Sequence, residues 1–144
     1  MQLTLHTDYS LRVLLYLATC EGPSTIAEIA TRYGVSRNHL VKVVHKLGQK
    51  GYVQTGRGRG GGVALARKAS DIRVGDVVRD MEPNFHIVEC FNPETNTCGI
   101  APGCALKHAL LKAQQAFLST LDGYTLADVS RNRATLARLL ELAV

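Results

Sequence analysis

Tryptophan is absent from this 144-residue sequence, and three phenylalanines and five tyrosines hold aromatics to 6%. A core must therefore be built from Leu, Val, Ile and Ala, which a hydrophobic content of 46% can supply, and that content argues against disorder. No run approaches the roughly 18 consecutive apolar residues of a membrane span. His6, Asp8 and Arg12 interrupt the first apolar stretch and no basic leader precedes it. A secretory signal is therefore not expected, and the expected location is the cytoplasm, with no membrane partner. There is no Cys-x-x-Cys pair, no glycine loop followed by Lys-Ser/Thr, and no nucleophile motif, so the chain is not expected to be an enzyme. Internal repeats are also missing, and the length suits one compact domain with an appended element.

What is present is distributed unevenly. Residues 1–68 carry ten Lys/Arg against three Asp/Glu, a net of +7, whereas residues 69–144 carry seven against nine, a net of −2. A basic first half suits a polyanion, although charge alone does not separate a binding surface from a solvated face. Leu11, Leu14, Leu15 and Ala18 mark one face of a helix over 9–20, which Glu21-Gly22-Pro23 ends. Thr25 with Glu28 three positions on is a capping box, opening a helix over 26–33 that stops at Gly34. Ser36 then caps a helix over 37–49 whose Leu40, Val43, Val44 and Leu47 face a core. Two short helices joined by a tight turn predict a helix-turn-helix. Past Gly51, residues 52–55 and 63–66 predict two strands around GRGRGGG, a β-hairpin wing. A short helix is expected over 73–81 and an irregular stretch over 82–104. A long helix follows from 104 to 121, striped with Leu106, Leu110, Ala113, Phe117 and Leu121. Thr125 with Asp128 caps a final helical stretch.

The second helix of the pair has the make-up of a recognition helix. Arg37, Asn38 and His39 stand in its first turn, where Arg and Asn match guanine and adenine edges. Lys42, Lys46 and Lys50 are expected at phosphates, which position without specifying sequence. Arg57 and Arg59, set among five glycines, suit a minor groove with its negative potential. Double-stranded DNA is the expected partner.

Cys90, Cys98 and Cys104 lie in one flexible segment at spacings Cys-x7-Cys-x5-Cys, while Cys20 ends an apolar helix and reads as a small hydrophobe. In a reducing compartment such thiols are metal ligands or buried groups rather than disulfides. Spacing alone leaves a structural zinc and an iron–sulfur cluster level, with a thiol switch behind both.

The order TDYSLRVLLYLA, HLVKVVHKL, GYV, RGRGGGVAL, VGDVVRDME, VECF, PGC and YTLADV spans nearly the whole chain. It resembles the iron–sulfur winged-helix regulators, and among them the nitric-oxide-sensing repressors. The resemblance implies a mainly α fold with a small β-hairpin wing: a winged helix-turn-helix plus a long C-terminal dimerisation helix. It divides the chain into a DNA-binding part at 1–81, a cluster loop at 82–104, and a dimerisation helix with a C-terminal helical segment at 105–144. It further implies a homodimeric repressor that loses its operator when nitric oxide attacks the cluster, a four-iron, four-sulfur cluster ahead of a two-iron, two-sulfur one. Cys90, Cys98 and Cys104 match the family's cysteine ligands, and Asp8 matches the carboxylate ligand given by the opposite subunit. His108, one helical turn past Cys104, is the rival fourth ligand. In the first turn of a helix, Asp8 is also favoured by the helix dipole with no metal at all. The alternatives are a sensor of cluster supply in the same family and a zinc-stabilised DNA-binding module.

Overall fold

The computed structural model describes residues 2–58 and 60–142. Helix α1 runs Leu5–Thr19, four residues earlier than the apolar periodicity suggests. The early start has a local and a distant cause. The Thr4 hydroxyl accepts the Thr7 amide N–H at 3.3 Å, and the Glu82 carboxylate accepts the Thr4 amide at 3.0 Å. The buried face also differs from the expected stripe. Val13 and Leu14 are fully buried together with Thr7 and Ser10, while Leu11, Leu15 and Ala18 pack only at the edge of the core. Both hydroxyls are satisfied inside: Ser10 Oγ donates to the His6 carbonyl at 2.7 Å, and Thr7 Oγ1 donates to Glu82.

Helices α2 (Ile26–Tyr33) and α3 (Arg37–Gln49) form the helix-turn-helix at the expected bounds. The Thr25–Glu28 box closes in both directions, at 3.1 Å to the Glu28 amide and 2.7 Å from the Thr25 amide. Gly34 takes φ +63°, the left-handed conformation that lets the chain leave α2 and turn into α3. Ser36 occupies the cap position of α3, but its hydroxyl makes no capping bond.

Strands β1 (Val53–Thr55) and β2 (Val63–Leu65) pair antiparallel with Gln54 opposite Ala64. The hairpin is anchored at the loop end of β2: Ser24 and Val63 exchange backbone hydrogen bonds of 3.0 and 2.8 Å. Helix α4 (Val74–Met81) packs against α1 and is followed by the irregular stretch with two single 3-10 turns, at Glu89–Phe91 and Ala101–Gly103.

Helix α5 (Ala105–Asp122) buries none of its residues fully within the chain. Of the expected stripe, Leu110, Phe117 and Leu121 are half-buried, whereas Leu106 is 66% exposed and Ala113 faces solvent. Gln114 instead joins the inward row and donates to the Phe85 carbonyl. The last stretch divides into α6 (Leu126–Val129) and α7 (Arg133–Leu139). Both return to the start of the chain. The Leu126 amide donates to the Ile72 carbonyl at 2.7 Å, and the Arg133 guanidinium donates to the carbonyls of Thr19 and Cys20 at the end of α1. One core results, drawn from Val13, Leu14 and Leu17, from Ile29, Leu40, Val43 and Leu47, and from Ile72, Val77, Met81 and Leu126. No helix among the described residues is long and apolar enough to cross a membrane.

Candidate nucleic-acid interface and cysteine segment

The core face of α3 fixes what its other face presents. With Leu40, Val43, Val44 and Leu47 inside, Arg37, Asn38, His39 and Lys42 all stand exposed. Arg37 also lines a groove of about 340 Å3 whose other walls are the start of α2 (Ile26 and Ala27), Thr55 and the wing glycines. The first turn of the recognition helix and the wing therefore share one side of the molecule. Arg57 is exposed on that wing, and Arg59 lies outside the described residues.

The wing is a tight backbone structure. Gly56 and Gly62 exchange hydrogen bonds of 2.8 and 3.1 Å, and the Gly61 amide donates to the Gly58 carbonyl at 3.0 Å. A Cβ on Gly61 would sit 2.6 Å from the Gly56 carbonyl oxygen, so a side chain there forces the two backbone segments apart. Gly61→Ala is expected to leave the melting temperature nearly unchanged and to weaken DNA binding about tenfold, the worth of one well-placed arginine contact. Titration of a labelled duplex measures this, and wild-type affinity would remove the wing from the interface.

Two of the expected phosphate contacts are held by the end of α4, Lys46 half-buried and Lys50 still exposed. Lys46 donates from Nζ to the Met81 carbonyl at 3.2 Å, and Lys50 Nζ sits 2.8 Å from Asp80 Oδ1. The end of α4 draws Lys46 through a last carbonyl that lacks a helical partner and carries negative partial charge, and Lys50 through the Asp80 carboxylate. Tyr52 completes this contact, donating to Asp80 Oδ2 at 2.7 Å. Burial works against the charge on Asp80, but the bonds from Lys50 and Tyr52 outweigh it and hold its pKa below the usual carboxylate range. Sequence reasoning missed this junction and the Glu82 carboxylate beside it.

The three segment cysteines are free thiols, all half-buried. Cys90 borders a cavity of about 450 Å3 between the segment and α5, which Phe85, His86, Phe91, Lys107 and Leu111 help to line. The Cys98 amide donates to the Asn96 side chain at 3.0 Å, and the Cys98 carbonyl accepts from Ala101 at 3.2 Å. Cys104 is the N-cap of α5, its Sγ accepting the Lys107 amide at 3.4 Å, a setting that suits an anionic ligand. His108 is exposed one turn further along. No three His, Cys, Asp or Glu side chains among the described residues converge to hold a metal ion. The donor chemistry nevertheless fits a thiolate-bound iron centre: three free, accessible cysteines within fifteen residues, beside an open cavity.

Asp8 sits in the first turn of α1, as expected, and is held by Arg12 through Nη2–Oδ2 at 2.8 Å and Nε–Oδ1 at 3.1 Å. That fork raises the Arg12 pKa. Arg12 also lies over the rings of Tyr9 and Tyr33. Cys20 is half-buried at the core edge, with Sγ 3.3 Å from Ser24 Oγ.

Comparison with known proteins places this geometry. Residues 3–132 match the Rrf2 family, described as iron-dependent transcriptional regulators. The chain is 51% identical to the HTH-type transcriptional regulator NsrR of Bacillus subtilis (strain 168), with 99% of each chain covered. It is 47% identical to the protein of the same name from Geobacillus kaustophilus, covering 98% of this chain and 97% of that one. Among solved structures it is similar to T. potens IscR, at a TM-score of 0.73 and 28% identity over 92% of this chain and 88% of that one. The global cysteine regulator CymR of B. subtilis gives the same TM-score at 26% identity, with 92% and 98% covered. The winged helix is thus a DNA-binding device rather than part of an enzyme, and the chain belongs to the Rrf2 family of iron-dependent transcriptional regulators.

Proposed function

We propose that this chain is a nitric-oxide-responsive repressor. A cytoplasmic homodimer holds double-stranded operator DNA and releases it when nitric oxide reaches an iron–sulfur centre bound by Cys90, Cys98 and Cys104. The observation that carries the reading is the continuity of the two halves: the helix-turn-helix and wing are tied to the end of α4, and the three-cysteine segment starts directly after it. The nitric oxide response comes from the resemblance to nitric-oxide-sensing repressors and from full-length similarity to proteins named NsrR. When bound, the centre supplies iron with a position open to a small diatomic ligand.

The chain's own residues do the rest. The cysteines bind as thiolates, and Asp8 of a second copy completes the set, with His108 as the alternative. A carboxylate oxygen is a harder, weaker partner for such iron than a thiolate, so that bond is the one to yield. Asp8 must leave Arg12 to make it, which exchanges one charge pairing for another. Helix α5 supplies the seam for the second copy, since it buries no residue fully in its own chain and exposes Leu106 and Leu111. A four-iron, four-sulfur centre is favoured over a two-iron one.

The test is anaerobic purification with iron and sulfide analysis, followed by duplex binding before and after titration with nitric oxide. Bound iron and sulfide with affinity lost on titration support the reading. A protein without iron that still holds its site at full strength rejects it. Asp8→Ala is expected to keep the fold, because an exposed i,i+4 pair contributes only about 0.3–0.5 kcal/mol, while speeding iron loss to a chelator. Unchanged spectra and unchanged DNA control would remove Asp8 from the ligand set.

A further inference from the structure

We propose that Val41 reads the 5-methyl group of a thymine in the major groove, as a specificity-determining residue of the recognition helix. The proposal rests on the DNA-reading role of α3. Every other Leu or Val of α3 is at most 4% exposed, yet Val41 is 45% exposed. A β-branched residue is a poor helix former, and at a surface position it gains no packing in return. An isolated apolar residue on a protein surface usually means little; its surroundings give this one meaning. It stands one turn beyond Arg37 and Asn38 and one turn before His45, all of them exposed, in the middle of the face whose first turn shares a groove with the wing.

Its neighbours are cations and hydrogen-bond donors, suited to phosphates and to the polar edges of bases. An apolar side chain among them has no polar edge to serve. Thymine is the one base that presents a methyl group in the major groove, so an aliphatic contact there selects it over cytosine, adenine and guanine. Val41 offers two methyl groups on a stiff side chain, which makes that contact without loss of rotamer freedom.

The experiment uses the full chain prepared anaerobically. Duplexes are selected from a randomised pool, and the enriched site is resynthesised with deoxyuridine replacing each thymidine in turn, which removes only the methyl group. Wild-type affinity is expected to fall about fourfold at one thymine of each half-site, the worth of one methyl group taken from apolar contact. Val41→Ser, with an unchanged melting temperature, is expected to show no loss at that same position. Tolerance of deoxyuridine at every position overturns the proposal, and so does an equal penalty in Val41→Ser and wild type. A pool that yields no enriched sequence overturns the DNA-reading role of α3 itself and the proposal with it.

Discussion

Cys104→Ser is expected to lose nearly all the iron of the anaerobically prepared protein while folding as well as the wild type. The two halves of that expectation come from different properties of one side chain. As a ligand, a serine hydroxyl at neutral pH is an uncharged hard donor, and soft iron–sulfur sites select thiolates. Alterations one shell removed from a metal already lower affinity 10–100-fold, so loss of a ligand should weaken retention by roughly a hundredfold or more. As a helix cap, serine is the better residue. Cys104 Sγ accepts the Lys107 amide at a long 3.4 Å, and a serine oxygen belongs at that position by preference. The melting temperature of the iron-free form should hold or rise slightly while absorbance and iron content collapse. Cys90→Ser and Cys98→Ser should behave alike in iron content, because neither thiol packs in the core cluster. Cys20→Ser is the control. Its sulfur touches Ser24 and backbone carbonyls at the other end of α1, and its iron content should match wild type. Iron retained in Cys104→Ser, with DNA control unchanged, would remove that residue from the site.

The elements that sequence reasoning placed well are those whose determinants are local. The Thr25–Glu28 box, the left-handed Gly34 and the spacing of Leu40, Val43, Val44 and Leu47 all act within four residues of themselves, and α2 and α3 have the bounds they predict. The wing was legible because glycine and arginine between two short apolar runs admit few other structures. The early start of α1 was not, since the carboxylate that secures it lies 78 residues away in sequence. Lys46 and Lys50 read as phosphate contacts because their spacing on α3 is that of an outer face; only the tertiary position of α4 supplies the carbonyl and the carboxylate that they also bind. Likewise Thr7 and Ser10 look like surface residues until their acceptors are known. In α5 the apolar stripe was visible but its partner was not, because a stripe alone does not say whether it packs within one chain or against a second; Leu110, Phe117 and Leu121 are half-buried while Leu106 and Ala113 face solvent. The cysteine trio stands out as a pattern in the sequence. Among the described residues the chain's own packing does not bring three such donors together, and nothing in the spacing of the cysteines could have told that.

Glu82→Ala is expected to cost about 2–3 kcal/mol of stability, a melting temperature lower by roughly 5–10 °C, and to weaken DNA binding as well. Its carboxylate accepts the Thr4 amide at 3.0 Å, the Thr4 hydroxyl at 2.9 Å and the Thr7 hydroxyl, so three donors at the head of α1 converge on one anion where the helix dipole favours negative charge. Removal strands the Thr4 amide. It also leaves fully buried Thr7 with only the Thr4 hydroxyl, 3.1 Å away. His6 next door cannot compensate. Its Nε2 is buried without a partner, and burial, reinforced by the Lys46 charge, lowers its pKa and keeps the ring neutral. The effect on DNA follows from what precedes Glu82. Asp80 holds Lys50 and Tyr52 at the base of the wing, the Met81 carbonyl holds Lys46 of the recognition helix, and Glu82 holds α1, so three consecutive residues grip the wing, the recognition helix and the helix that packs behind it. Pro83 and the cysteine segment start immediately after. A displacement of that segment therefore reaches all three elements through one short stretch of backbone. Glu82→Gln, which keeps one acceptor oxygen but replaces the other with an NH2 donor, should fall between wild type and Ala in both stability and affinity. Thr7→Val combined with Glu82→Ala should cost less than the sum of the single changes, because each removes the same bond. Urea unfolding and duplex titration of the five proteins measure both quantities. Additive stabilities would show that Thr7 and Glu82 do not share that bond, and full DNA affinity in Glu82→Ala would show that the grip on α1 is not coupled to the reading of DNA.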